Sequence, residues 1–288
     1  MQTTPALLPD QTVAAANCGS VADTLTKLVN APFTLPGRGA AVLLVHGLGG
    51  GPYELQWLGD ALHARLGFTV RALQLPGHTQ AAFRMPHSTW QEWLGAVEEG
   101  HAQLQREAGD VSVHVVGFST GCLSAARLAE TRALSGRLVL LAPFVHVYKP
   151  SWLGVPPEVL LKRFQWLGWV PSAPTPLRDR ALRREVDPCK PFTLFSLKAT
   201  VSAKALCALV MPELARIAAP TLVLQGARDT VVDPRGAPEL LAGLGCERRL
   251  RVLERSDHLL AIDEEREAVF DEVCRFLAPR SPEQGDAW

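Results

Sequence analysis

Short apolar runs alternate with segments of helical period along most of the chain. The runs are residues 40–45 (AAVLLV), 68–75 (FTVRALQL), 111–118 (VSVHVVGF), 138–144 (LVLLAPF), 221–224 (TLVL) and, with weaker apolar character, 248–253 (RRLRVL). They are short, rich in Val and Leu, and mostly closed by Gly or Pro, which predicts strands buried on both faces. Helical spacing fills the gaps. Residues 53–66 place Leu55, Leu58, Leu62 and Leu66 three or four apart. Residues 90–105 do the same with Trp90, Trp93, Leu94, Val97 and Leu104, and 264–277 with Ala268, Phe270, Val273 and Leu277. Residues 123–133 are rich in Ala and Leu. Strands that alternate with helices need crossover connections. The predicted class is therefore α/β: a mostly parallel, twisted sheet with helices on both faces.

One connection breaks the rhythm. Residues 145–219 show no clear strand, and a stretch of that length is too long for a simple crossover. It carries Trp152, Phe164, Trp166 and Trp169, several prolines near its start, and a helical pattern over 198–211. The expected organisation is a core of residues 40–144 and 220–279, with 145–219 as a helical cap over the carboxyl edge of the sheet. Residues 1–39 form an N-terminal segment, either an arm or a helix around 23–29 with an edge strand. Residues 280–288 form a C-terminal tail.

Composition narrows the partners. The 288 residues are 47% hydrophobic, enough for one large core. Lys plus Arg and Asp plus Glu are equal at 29 each, so no basic excess exists to neutralise phosphates, and nucleic acid is not an expected partner. The six cysteines are scattered, without a C-x-x-C pair or a histidine at ligand spacing, and read as buried thiols rather than a metal site. The opening MQTTPALLPD lacks the basic and apolar regions of a secretory signal, and no apolar stretch is long enough for a transmembrane segment. A cytoplasmic location is the expectation. The sequence leaves the oligomeric state open.

Candidate chemistry lies at the ends of the runs. Gly117-Phe118-Ser119-Thr120-Gly121 fits G-x-S-x-G, ends the run 111–118 and opens a helix. A serine hydroxyl is a poor nucleophile unless it is held exposed beside a base, and a sharp strand-to-helix turn does this. The glycine loop His46 to Gly51 follows the first run and leaves backbone N–H groups free for a developing oxyanion. The expected donors are Leu48 N–H and Thr120 N–H. The loop lacks the G-x-G-x-x-G spacing of a dinucleotide site. Asp229 follows the run TLVL and His258 follows RRLRVL, giving the chain order Ser, Asp, His. Asp229 is preferred over Asp233 as the acid because it sits nearer the strand end; Asp257 adjoins the histidine and faces it poorly. His78 in LPGH reads as a loop residue with a possible place at the pocket mouth. His114 reads as a strand residue, and His63 and His101 as solvated helix positions.

HGLGG at 46–50, LPGH at 75–78, GFSTG at 117–121, GARDTVV at 226–232 and SDH at 256–258 together resemble the α/β-hydrolase superfamily, and within it the monoacylglycerol-lipase and small-carboxylesterase group. The resemblance spans about residues 40–277. It implies the α/β-hydrolase fold with the cap between strands 6 and 7, no cofactor and no metal. It also implies hydrolysis of a small-molecule acyl ester through an acyl-enzyme on Ser119, with His258 as base and Asp229 orienting it. The chain departs from the commonest pattern at Cys122, at Thr79 and in the cap. The same triad would serve a thioesterase, an acyltransferase or a C–C bond hydrolase. A non-catalytic binding protein on this fold is the remaining alternative.

Overall fold

The computed structural model describes residues 26–78, 81–148, 154 and 157–279. In chain order the elements are β1 (Phe33–Leu35), β2 (Ala41–Val45), α1 (Gln56–Leu66), β3 (Thr69–Ala72), β4 (Ala82–Arg84), α2 (Trp90–Ala108), β5 (Val113–Phe118), α3 (Thr120–Thr131) and β6 (Leu138–Leu141). They continue with α4 (Pro157–Phe164), β7 (Trp169–Pro171), α5 (Arg180–Val186), β8 (Phe192–Ser196), α6 (Leu197–Val210), β9 (Thr221–Gly226), α7 (Gly236–Gly243), β10 (Arg248–Leu253) and α8 (Arg266–Leu277). Seven strands form the main sheet in the order β1-β3-β2-β5-β6-β9-β10. Only β1 runs antiparallel, pairing Phe33 to Ala72 and Leu35 to Val70 at one edge.

Side-chain alternation explains why the central runs are continuously apolar. Leu43 and Val45 of β2, Val113 and Val115 of β5, Leu138 and Leu140 of β6 and Val223 of β9 enter the core with α2, α3, α6 and α7. Their neighbours Val42, Leu44, Val116, Val139, Leu141, Leu222 and Leu224 enter a second core on the opposite face, under α1 and α8. A strand covered on both faces has no solvent side to be polar. β10 is the other edge of the sheet, and its arginines are exposed; this is why its run looks weak.

The insertion leaves the main sheet after β6 and returns at β9. Among the described residues, 145–219 add no strand to the main sheet, but the expectation of a purely helical insertion needs correction. β7 and β8 join β4 in a separate three-stranded sheet, with β8 in the middle. These strands were not legible because they are three to five residues long and carry polar residues or proline, so neither period develops. α6 matches the helix expected over 198–211, and it packs on α2 and α3 of the core as well as on α4 and β7 of the insertion. Of the helix expected around 23–29, residues 23–25 lie outside the described residues and 26–29 are not helical. Trp152 and the tail 280–288 also lie outside them.

Candidate active site

The strand-to-helix turn after β5 is sharp. Ser119 has φ 54° and ψ −118°, a positive φ that a non-glycine residue adopts only under constraint. The constraint is visible: Ser119 N–H donates to the Leu141 carbonyl at 2.8 Å, and its own carbonyl accepts from Cys122 N–H at 3.1 Å and Phe144 N–H at 3.2 Å. The flanking glycines are required by close packing. A Cβ on Gly121 would overlap the carbonyl oxygens of Val45 and His46, and one on Gly117 would overlap the Gly121–Cys122 backbone. Backbone cannot move aside as a side chain does. Gly121→Ala is therefore expected to destabilise the fold by about 1–3 kcal/mol, read as a lowered Tm, and to lower activity by moving β2 away from the turn. A variant with unchanged Tm would show that the two segments are less tightly held than this geometry requires.

Ser119, His258 and Asp229 come together from three loops at the carboxyl edge of the sheet. The Ser119 hydroxyl lies 3.0 Å from His258 Nε2, and His258 Nδ1 lies 2.7 Å from Asp229 Oδ2. A carboxylate accepts but does not donate, so Nδ1 carries the proton and Nε2 is free to accept from the serine. Asp229 is fixed in turn. Its Oδ1 accepts from Val231 N–H and Val232 N–H, each at 2.8 Å, and its Oδ2 also accepts from Gln225 Nε2 at 3.1 Å. Burial disfavours a charged His258, but the Asp229 charge and hydrogen bond outweigh it, with help from Glu54 and Asp257, so its pKa is raised overall.

The rival acids are occupied elsewhere. Asp233 binds Arg235 through both oxygens, and that ion pair lowers its pKa. Asp257 accepts from Thr230 N–H and Oγ1 and from His258 N–H, all at 2.9 Å, and so ties two loops together without reaching the imidazole. Asp263, fully buried, accepts from Asp257 N–H through one oxygen and from Arg178 and Asp179 N–H through the other. It links the histidine loop to the insertion.

Leu48 N–H and Thr120 N–H, the expected oxyanion donors, have no hydrogen-bond partner among the described residues. Thr120 opens α3, so the positive end of that helix adds to its N–H. In the glycine loop, Gly47 N–H donates to Glu54 Oε2 at 3.0 Å and Gly49 N–H to His78 Nε2 at 2.9 Å. His46 accepts from Leu75 N–H, and its ring packs edge-on against His78. His78 is thus a buried brace of this loop, as its loop reading suggested. Sequence reasoning did not assign Glu54, His46, Gln225 or Asp263. Glu54 had one signal: an acid in the apolar stretch YELQWL, where a solvated side chain does not fit. His114 accepts from Arg137 N–H at 2.9 Å as a satisfied strand residue. His101 is buried rather than solvated, because its helix face packs inward.

This fold and this arrangement define the class: an α/β-hydrolase enzyme. A family model described as serine aminopeptidase, S33 (Hydrolase_4) matches residues 37–265, and the chain belongs to that family. It is 27% identical over 247 residues to a carboxylesterase of Bacillus subtilis (strain 168), covering 85% of this chain and 95% of that one. It is 27% identical over 252 residues to a thermostable monoacylglycerol lipase of Bacillus sp. (strain H-257), covering 86% and 94%. A solved structure of a soluble variant of monoglyceride lipase from Saccharomyces cerevisiae, in complex with a substrate analog, shares the fold. It superposes with a TM-score of 0.75 at 15% identity, covering 87% of this chain and 92% of that one. No described helix is long and apolar enough to cross a membrane.

Proposed function

We propose that the enzyme hydrolyses carboxylic esters of short- to medium-chain acyl groups, including monoacylglycerol-type esters, through an acyl-enzyme on Ser119. The observation that carries this reading is the hydrogen-bonded line from Ser119 through His258 to Asp229, beside two unengaged N–H groups. His258 Nε2 takes the hydroxyl proton as Ser119 Oγ attacks the ester carbonyl carbon. Leu48 N–H and Thr120 N–H receive the oxyanion, and losing either would cost on the order of 3 kcal/mol of transition-state stabilisation. The imidazolium then protonates the departing alcohol. A water molecule, deprotonated by the same imidazole, attacks the acyl-serine and releases the acid.

The similarity to a carboxylesterase and a monoacylglycerol lipase supports the ester class. The insertion is read as a cap because it touches the loops around Ser119. Phe195 of β8 packs against Gly49 so closely that a Cβ there would overlap its ring, and Asp263 joins the backbone at 178–179 to the histidine loop. Leu48 and Phe195, only partly buried against the core, are the apolar surface assigned to an acyl chain.

The test is a panel of p-nitrophenyl esters from acetate to dodecanoate and a monoacylglycerol, with aminoacyl p-nitroanilides as the amide arm. Turnover of at least one ester well above the anilides is the expected result. Cleavage of the anilides and of no ester would replace this reading with peptide-bond hydrolysis.

A further inference from the structure

We propose that Glu54 is a positioning residue of the reaction at Ser119: its buried carboxylate holds the glycine loop that presents Leu48 N–H, and adds a negative charge behind that loop to those of Asp229 and Asp257. This rests on the ester-hydrolase reading above only for the identity of the substrate.

Glu54 lies in the single turn of 3₁₀ helix Pro52–Leu55 and is 7% exposed. Its Oε2 accepts Gly47 N–H at 3.0 Å. The loop then wraps around the carboxylate, since a Cβ on Gly50 would overlap it. Two residues beyond Gly47, the N–H of Gly49 is taken by His78. The loop is therefore held on both sides of Leu48, whose N–H has no hydrogen-bond partner among the described residues. Remove the carboxylate and the Gly47 pin is lost, together with the volume the loop closes on. A displacement of about 1 Å in a positioning element costs on the order of 10²-fold in rate.

The charge has its own significance. A neutral amide would satisfy Gly47 N–H without the cost of burying a carboxylate. The carboxylate instead stands behind Gly47, whose backbone packs on Ser119 and Phe118, and from there acts electrostatically on His258, whose imidazole must become positive during the reaction. Burial pushes the Glu54 carboxyl up to about 7, opposed by the Gly47 N–H and by His258. The other titratable groups here are Tyr53 on the same turn and, around His258, Asp229 and Asp257. His46 and His78, which brace the loop, are held neutral by burial at about 3 and about 4. Loss of the Glu54 charge removes one of the influences that raise the His258 pKa. The sign follows: the Glu54 carboxyl itself takes up a proton at about 7, so its charge acts on His258 at and above that pH, and there the base of the Gln variant stays neutral to lower pH and the upper part of the acid limb moves down. The same charge opposes the oxyanion, so the two effects partly cancel at higher pH.

The experiment compares wild type, Glu54→Ala and Glu54→Gln by the second-order rate of Ser119 phosphonylation with a fluorophosphonate probe from pH 5 to 9, alongside ester turnover. Phosphonylation needs the same base and oxyanion donors but no ester, so the two readings separate. Wild type that is phosphonylated but hydrolyses no ester would sink the ester reading alone. Glu54→Ala is expected to react on the order of 10²-fold more slowly. Glu54→Gln is expected to stay within about threefold of wild type at pH 8, with the upper part of its acid limb moved to lower pH. That limb remains decisive should the alanine variant not fold. Glu54→Ala reacting as fast as wild type, or a Gln variant with an unmoved acid limb, would overturn the proposal. A wild-type protein inert to the probe would overturn it as well.

Discussion

Ser119→Ala is expected to lower kcat on the order of 10⁶-fold, the loss typical when the nucleophile of such a unit is removed. The chemistry has no substitute: His258 would remain hydrogen-bonded to Asp229 but would have no hydroxyl to activate. Nothing else in the fold should change. The serine already sits at φ 54°, and alanine meets the same steric penalty there, since both carry a Cβ. Its backbone N–H and carbonyl keep their partners at Leu141, Cys122 and Phe144. Steady-state kinetics with the best ester of the panel, together with a thermal melt, check this. A folded variant that keeps more than about a hundredth of wild-type turnover would put the nucleophile elsewhere.

Asp229→Asn is expected to lower kcat on the order of 10⁴-fold and to lower the Tm as well, because the asparagine NH₂ also meets the Gln225 Nε2 donor. The reason lies in the donors around the carboxylate. Oδ1 accepts two backbone N–H groups, from Val231 and Val232, so an asparagine must keep its carbonyl oxygen there. Its NH₂ then replaces Oδ2 and meets His258 Nδ1. Two donors cannot face each other, so the imidazole shifts its proton to Nε2 and can no longer accept from Ser119. Asp233→Asn is the control. It breaks only an exposed ion pair with Arg235 and should leave kcat within about twofold. Near-silence at Asp229 with a large loss at Asp233 would reverse the assignment of the acid.

The central strands and long helices were legible because each rests on a local pattern that burial enforces. β2, β5 and β6 are apolar at every position or nearly so because both faces are covered, and α2 begins where Thr89 and Glu92 form a capping box. The sites at 119, 229 and 258 were legible because each follows a strand end and the glycines around Ser119 are set by backbone contact. The small sheet of β4, β7 and β8 was not legible. Its strands find their partners across long stretches of chain, and no local period marks them.

By itself, then, the sequence determined the α/β class, the order of the main elements, the family resemblance and three candidate residues far apart in the chain. Periodicity and turn chemistry are local, and they suffice for that much. Only the tertiary structure decided which carboxylate meets the imidazole. The strand end favours Asp229 in the sequence, but Asp229, Asp233 and Asp257 are told apart by contact only through the N–H groups and cations the fold brings to each. It alone placed Glu54 beneath the glycine loop, His78 behind Gly49 and Asp263 between the insertion and the histidine loop. A buried polar group is defined by the partners that surround it, and those partners come from distant segments.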